Sequence, residues 1–197
     1  MDLGDIEGEA ALLLRQGGQD DGGPPRVLEL ARAILGRGGL EAVPHRALPG
    51  DGCLATVQGE RRIYVRTGLS PLRLRWVVAH ELGHLALCLD SSSRQNEDAC
   101  DAFAAALLLP RRGFQAALRE VGANYGKLAR WFVTTESCAA LRLGEVTDVP
   151  LALVAPARVR TRGAEFAWPD DLRAARMPGV RRATLRDDRR RVVMRAG

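Results

Sequence analysis

The chain has 197 residues, 46% of them hydrophobic, which suits one domain with a small appendage and excludes wholesale disorder. Its net charge of +5 is unevenly placed: residues 1–150 hold 17 basic and 19 acidic side chains, whereas residues 151–197 hold 12 arginines and 5 acids. A uniformly basic nucleic-acid binder is excluded by that distribution. The acidic start (Asp2, Asp5, Glu7, Glu9), four cysteines without a CxxC pair and the lack of an apolar run near ~20 residues lead us to expect a cytoplasmic protein, neither secreted nor membrane-inserted.

In chain order, Ile6, Ala10, Leu13 and Leu14 space a short helix over residues 1–16, and GGQDDGGPP (17–25) has the composition of a flexible linker. Val27, Leu28, Ala31, Ile34 and Leu35 predict a helix over 26–36, stopped at Gly36. Three short strands follow, Glu41–Arg46, Cys53–Gln58 and Arg61–Arg66, the last two joined by a tight turn at Gly59-Glu60. Ser70 and Pro71 open a helix running to about Leu89. Another runs from Arg94 to Leu109 and stops at Pro110. Short helices are expected over 111–121 and 124–133, with a Thr135-capped helix to Leu143. Beyond Pro150 the pattern turns strand-like, with Leu151–Val159 and a hairpin of Ala183–Arg186 with Arg191–Met194.

The chemistry concentrates in WVVAHELGHLAL. His80, Glu81 and His84 form H-E-x-x-H on a predicted helix, so the two imidazoles share one face and can address one metal ion. Glu81 sits beside them, within reach of a water that such an ion would acidify. The next helix offers Glu97 and Asp101, four apart on a face that continues into Phe103, Ala104 and Leu108. Carboxylates leading into a buried face are costly unless paired or metal-bound. Glu97 is therefore assigned as third ligand, and Asp101 as acceptor for the free nitrogen of one ligating histidine. That spacing is similar to the arrangement in thermolysin-like zincins. Two nitrogens and a carboxylate favour Zn2+ over manganese. Asp98 falls on another face and is expected to be solvated.

The linked segments RLRWVVAHELGHLAL and EDACDAFAAALLLP resemble the ImmA/IrrE family of zinc metallopeptidases over about residues 26–145. Glu97, Cys100, Asp101, Phe103, Ala104, Ala105, Leu107, Leu108 and Pro110 follow the family pattern in order, with Asp101 where the family usually carries Asn. The resemblance implies an α+β minimal zincin, in which a short sheet precedes the active-site helix and a helical bundle follows. It further implies a cytoplasmic regulatory protease whose substrate is a helix-turn-helix repressor encoded nearby or an antitoxin-type partner. Peptide binding along a sheet edge is implied too. That edge is expected at Arg61–Arg66, bringing Arg62 and Tyr64 to the substrate, with Cys53–Gln58 as the next candidate. Tyr125 and His45 are candidates for oxyanion support.

The expected division is residues 1–25 as an acidic segment and linker, 26–149 as the peptidase domain with a helix-turn-helix-like end, and 150–197 as an arginine-rich extension. A non-proteolytic DNA-binding or antitoxin-like module on the same scaffold is the competing function, and a metal-bound structural scaffold a third. The segment GKLARWFVTTESCAALRLGE spaces two helices about a turn, but its second helix carries Glu136, Glu145 and only Arg142. Nucleic acid is therefore not favoured as partner. In the tail, Arg158, Arg160 and Arg162 alternate, while Arg189, Arg190 and Arg191 lie next to Asp187 and Asp188. A solvated basic sheet face is the expectation there, ahead of a protein-docking surface.

Overall fold

The structure is a computed structural model that describes residues 2–48, 50–147, 151–154, 159–162, 180–184 and 191–195, with backbone only for His45 and for the last four segments. The fold is α+β and of the minimal zincin kind. The chain divides into two compact units, residues 1–114 and 115–197.

The first unit opens with α1 (Leu3–Gln16). Asp2 accepts from the Asp5 N–H (2.8 Å) and Asp5 accepts from the Asp2 N–H (3.1 Å), a reciprocal cap that satisfies two otherwise orphaned donors. Ile6, Ala10, Leu13 and Leu14 form its buried stripe. Residues 17–25, expected to be flexible, have fixed partners. The Gln19 amide accepts from the Arg26 N–H (2.8 Å) and donates to the Arg26 C=O (3.1 Å). The Gly113 N–H donates to the Asp21 C=O (2.9 Å). Composition sets a loop's freedom in isolation; here a residue 92 positions away pins it.

α2 (Val27–Leu35) leads to a three-stranded sheet of β1 (Leu40–Val43), β2 (Gly52–Val57) and β3 (Glu60–Arg66). The expected first strand reached Arg46; pairing ends at Val43 because Pro44 has no N–H to offer, and a 3-10 turn covers His45–Ala47. The hairpin turn lies at Gln58-Gly59, one residue earlier than expected, since Val57 pairs with Glu60. Both turn residues have left-handed φ (54° and 85°), as a type I′ turn requires.

The strand order is β1-β3-β2, with β1 parallel and β2 antiparallel to β3. Arg61–Arg66 is therefore the central strand and not the edge, which corrects the sequence expectation. The parallel pairing of β1 with β3 skips a strand in sequence, and nothing in either segment's residue pattern announces it. β1 and β2 are the two edge strands. Ile63 and Val65 are buried, and Leu54 and Gly52 stand opposite them in register, so these four share one sheet face.

α3 (Pro71–Ala86) packs against β2 and β3, and α4 (Arg94–Leu108) packs against α3 and α1. Asp51 ties the layers at one corner. Its carboxylate pairs with Arg66 (2.8 Å) at the end of β3 and Arg73 (2.7 Å) in the first turn of α3. The α3–α4 contact is close because Gly83 has no side chain: a Cβ there would lie 3.2–3.3 Å from the Cα, Cβ and C=O of Cys100.

α5 (Arg111–Val121) crosses from the first unit into the second, which continues with α6 (Tyr125–Phe132) and α7 (Glu136–Thr147). Asn124 caps α6, and the Thr135 hydroxyl accepts from the Cys138 N–H (3.2 Å) at the start of α7. A second sheet, ordered β5-β4-β7-β6, comprises β4 (Leu151–Val154), β5 (Val159–Arg162), β6 (Val180–Thr184) and β7 (Arg191–Arg195), all antiparallel. Leu151–Val159, expected as one strand, is thus split between β4 and β5. Of the expected final pairing of Ala183–Arg186 with Arg191–Met194, Ala183 and Thr184 stand opposite Val192 and Arg191, but the first strand begins earlier, at Val180, and Leu185 and Arg186 lie outside the described residues. Arg160 and Arg162 lie on the edge strand β5; Arg158, Asp187, Asp188, Arg189 and Arg190 lie outside the described residues. No helix among the described residues is long and apolar enough to cross a membrane.

Gly83→Val should lower the stability of the folded protein by about 1–3 kcal/mol in urea unfolding, because the Cys100 backbone cannot retreat from the added methyls. An unchanged unfolding midpoint would contradict the close helix contact.

Candidate metal centre

Ser70 starts α3 by accepting from the Arg73 N–H (3.3 Å), and Pro71 takes the first helical position, where its missing N–H costs nothing. The helix then carries His80 and His84 on one face, one turn apart. Ser93 caps α4 through the Asn96 N–H (3.1 Å), placing Glu97 in the first turn and Asp101 one turn on. With Gly83 removing the obstacle between the helices, the two ligand-bearing faces meet.

His80 Nε2 is 3.2 Å from one Glu97 oxygen, and His84 Nε2 is 3.4 Å from the other. Ligand atoms of these three residues all lie within 4.8 Å of one another. Four ligands at 2.0–2.1 Å in a tetrahedron stand about 3.3 Å apart, so the nitrogen–oxygen separations already match a zinc-sized divalent ion. The far side of each ring is engaged as well. His84 Nδ1 donates to the Leu89 C=O (3.0 Å), and His80 Nδ1 is 3.1 Å from Asp101 Oδ1. A carbonyl can only accept, so the His84 proton sits on Nδ1 and the lone pair of a neutral ring is left on Nε2. His84 is only 6% exposed, whereas the Glu97 side chain is 42% exposed, so the cluster is closed toward the helix pair and open on the carboxylate side.

Glu81 faces the sheet. Its Oε2 accepts from the Leu54 N–H (2.8 Å) on the open edge of β2. The approach depends on Gly52: a Cβ there would come within 2.3 Å of Val77 Cγ1 and 3.1 Å of Glu81 Oε1. Burial pushes the Glu81 carboxyl above its ordinary pKa; the imidazoles of His80 and His84 and the Leu54 N–H oppose this, and Glu97 adds to it. For His80, burial disfavours the charged ring, but the Asp101 hydrogen bond and the surrounding carboxylates outweigh it and raise the pKa. The Cys100 thiol, between Glu97 and Asp101 in sequence, is pushed up to about 12 by burial and those carboxylates, so it remains a thiol at neutral pH and fills space between the helices.

Of the residues singled out in the sequence, His80, Glu81, His84, Glu97 and Asp101 come together. Arg62 and Tyr64 do not join them. They occupy the central strand at positions alternating with buried Ile63 and Val65, hence on the sheet face away from α3. Arg62 bonds Glu60 there (3.2 Å). Asp98 is exposed beside Arg94 (3.8 Å). Tyr125 begins α6 in the second unit, where burial and the Glu136 charge raise its pKa. The backbone of His45 lies in the 3-10 turn. Sequence reasoning did not find the Leu89 carbonyl, the Leu54 N–H or Gly52. Backbone groups carry no residue signature, and a glycine before a strand reads first as a turn.

The profile of the IrrE N-terminal-like domain, Peptidase_M78, matches residues 42–143, which makes this span a metallopeptidase-like domain. Among solved structures, the chain is similar to a Mycobacterium tuberculosis transcriptional regulator, with a TM-score of 0.61 and 19% identity. That match covers 83% of this chain and 56% of the regulator, so the chain spans little more than half the regulator's length and the likeness is one of fold. No curated protein matches the sequence.

Asp101→Ala should lower the His80 pKa in the metal-free protein, since Asp101 is what offsets the desolvation of the ring. Titration of the histidine C–H resonances by NMR measures this, and an unchanged His80 curve would refute the assigned pairing.

Proposed function

Because the chain belongs to the IrrE N-terminal-like domain family of peptidases, we propose that it is a zinc-dependent endopeptidase that cleaves a regulatory protein. The observation that carries this reading is the convergence of His80 Nε2 and His84 Nε2 on the Glu97 carboxylate, with Glu81 alongside. His80, His84 and Glu97 would hold the ion. A set of two neutral nitrogens and one carboxylate, leaving a position open, suits zinc. When bound, zinc supplies Lewis acidity to the scissile carbonyl and brings the pKa of water toward neutrality.

The protein's own contribution is proton handling and alignment. The Leu54 N–H holds Glu81 Oε2, leaving Oε1 to take the proton of the attacking water. The same carboxyl then returns that proton to the leaving amine. A pKa raised by burial helps on the return step, while the Leu54 N–H and the imidazoles preserve enough carboxylate for the first. Asp101 and the Leu89 carbonyl keep the two rings turned so that Nε2 faces Glu97. An extended substrate would pair along the free edge of β2. Arg66 donates to the Asp51 C=O (2.9 Å), so by antiparallel alternation Leu54 and Thr56 direct their backbone groups outward. The Leu54 C=O and Thr56 are then the docking groups, since the Leu54 N–H serves Glu81.

A helix-turn-helix repressor encoded nearby, or an antitoxin-type partner, is the substrate class we favour, in the cytoplasm. The similarity to a transcriptional regulator supports a regulatory setting, and the cysteines form no disulfide among the described residues. The competing DNA-binding reading relies on α6, the turn and α7. Its one basic residue on α7, Arg142, is 0% exposed and paired with Glu145 (3.2 Å), which leaves that helix no cation to offer a phosphate.

Co-incubation with the repressor encoded beside this gene, in the presence of zinc, tests the proposal. Glu81→Gln should slow cleavage by about 10²–10⁴-fold while retaining one zinc per chain. Glu97→Ala should lose most of the bound zinc. Cleavage by Glu81→Gln at the unsubstituted rate would sink the mechanism, and unchanged zinc in Glu97→Ala would sink the ligand assignment.

A further inference from the structure

The connection between α3 and α4, residues 87–93, reaches both sides of the ligand cluster. Leu87 ends α3 in a right-handed conformation, its N–H bonded to the Gly83 C=O (2.9 Å). Cys88 then takes a φ of +52°, the left-handed region that glycine normally fills one position past a helix. That reversal returns the Leu89 N–H to the His84 C=O (3.2 Å), the six-to-one bond of a Schellman turn. The C=O of the same Leu89 accepts from His84 Nδ1 (3.0 Å). Leu89 therefore grips His84 twice, at its backbone carbonyl and at its imidazole.

The connection continues to the third ligand. The Asp90 C=O and carboxylate both accept from the Asn96 amide (3.1 and 2.9 Å), and the Ser92 N–H donates to the same carboxylate (3.1 Å). Asn96 immediately precedes Glu97. The imidazole torsion of a histidine is broad and roughly two-fold, so without the Leu89 carbonyl the ring of His84 could exchange its two nitrogens. The left-handed turn at Cys88 is what brings that carbonyl back over the ring.

We infer that Cys88 and Asn96 are positioning residues of the metal centre. Cys88 acts through its left-handed backbone, and Asn96 acts by locking the far end of the same connection. The inference rests on the zinc-binding reading above. The thiol is not the operative group: Cys88 is exposed, and its Sγ reaches only the Leu85 C=O, at 3.9 Å. The segment thus joins His84 to Glu97 by a single short path, and its conformation sets the orientation of one ligand and the placement of the other.

The test is the Zn2+ affinity of the full chain, measured by competition with a chromophoric chelator and without substrate. Circular dichroism of the metal-free protein accompanies it. Cys88→Gly and Cys88→Asn tolerate the left-handed region and should bind zinc within about twofold of the unsubstituted chain. Cys88→Val, β-branched and resistant to that region, should weaken binding by about 10- to 100-fold, the usual effect of disturbing an outer-shell partner. Asn96→Leu keeps the volume, removes both amide donors and should weaken binding about tenfold; it supplies the answer if Cys88→Val does not fold. A folded Cys88→Val or Asn96→Leu that binds like the unsubstituted chain overturns the role of that residue. Loss in Cys88→Gly as large as in Cys88→Val assigns the effect to the side chain and overturns the backbone role. Absence of zinc binding by the unsubstituted chain overturns the metal reading itself along with this inference, whereas normal binding by the valine variant leaves that reading standing.

Discussion

The metal-ligand cluster depends on how closely α4 can lie against α3. Gly83, inside the histidine motif, is where the Cys100 backbone makes its nearest approach. The ligand pair on one helix and the carboxylates on the other stand within hydrogen-bond range because nothing intervenes there. A side chain at that point would separate the helices by a fraction of the distance that a methyl occupies. That is comparable to the whole tolerance of a metal site. The second close approach, at Gly52, does for Glu81 what Gly83 does for the histidines: it lets a strand edge reach the carboxylate.

Polar groups buried at such a junction are costly unless each has a partner. Each does here. The His84 ring is held by Leu89, the His80 ring by Asp101, and the Glu81 carboxylate by Leu54. Two of the three partners are backbone groups at places where regular structure ends or leaves an edge open, the turn after α3 and the outer side of β2. A helix end and a sheet edge both leave unpaired donors and acceptors. Here those groups are consumed by the functional side chains, so the same contacts satisfy the backbone and fix the site.

The second unit follows a different logic. Arg142 and Glu145, three residues apart on α7, form a pair with side chains 1% and 4% exposed, so each buried charge has its partner within the same helix. The two central strands of the second sheet, LALV and RVVMR, are apolar apart from the arginines at the ends of β7, while Arg160, Arg162, Arg181 and Arg182 lie on the edge strands. Charge on edge strands discourages pairing with other chains. These four arginines of the second sheet thus sit on strands whose outer sides lack a paired neighbour among the described residues.

Much of this was legible in the sequence. Ser70-Pro71 and Pro110 mark the start of α3 and the end of α4, and the spacings His80–His84 and Glu97–Asp101 name the ligand set, because caps, proline and helical periodicity act over a few residues. The sequence by itself therefore determined where α3 and α4 begin, where α4 ends, and which side chains could converge, whereas α3 stops at Ala86 and not near Leu89 because Cys88 turns into the left-handed region. Only the tertiary structure decided that β3 is central and β2 an edge strand, that residues 17–25 are pinned by α5, and that Leu89 and Leu54 hold His84 and Glu81. Those outcomes depend on contacts between residues far apart in the chain, or on backbone N–H and C=O groups, which every residue except proline carries alike and which no residue type can announce.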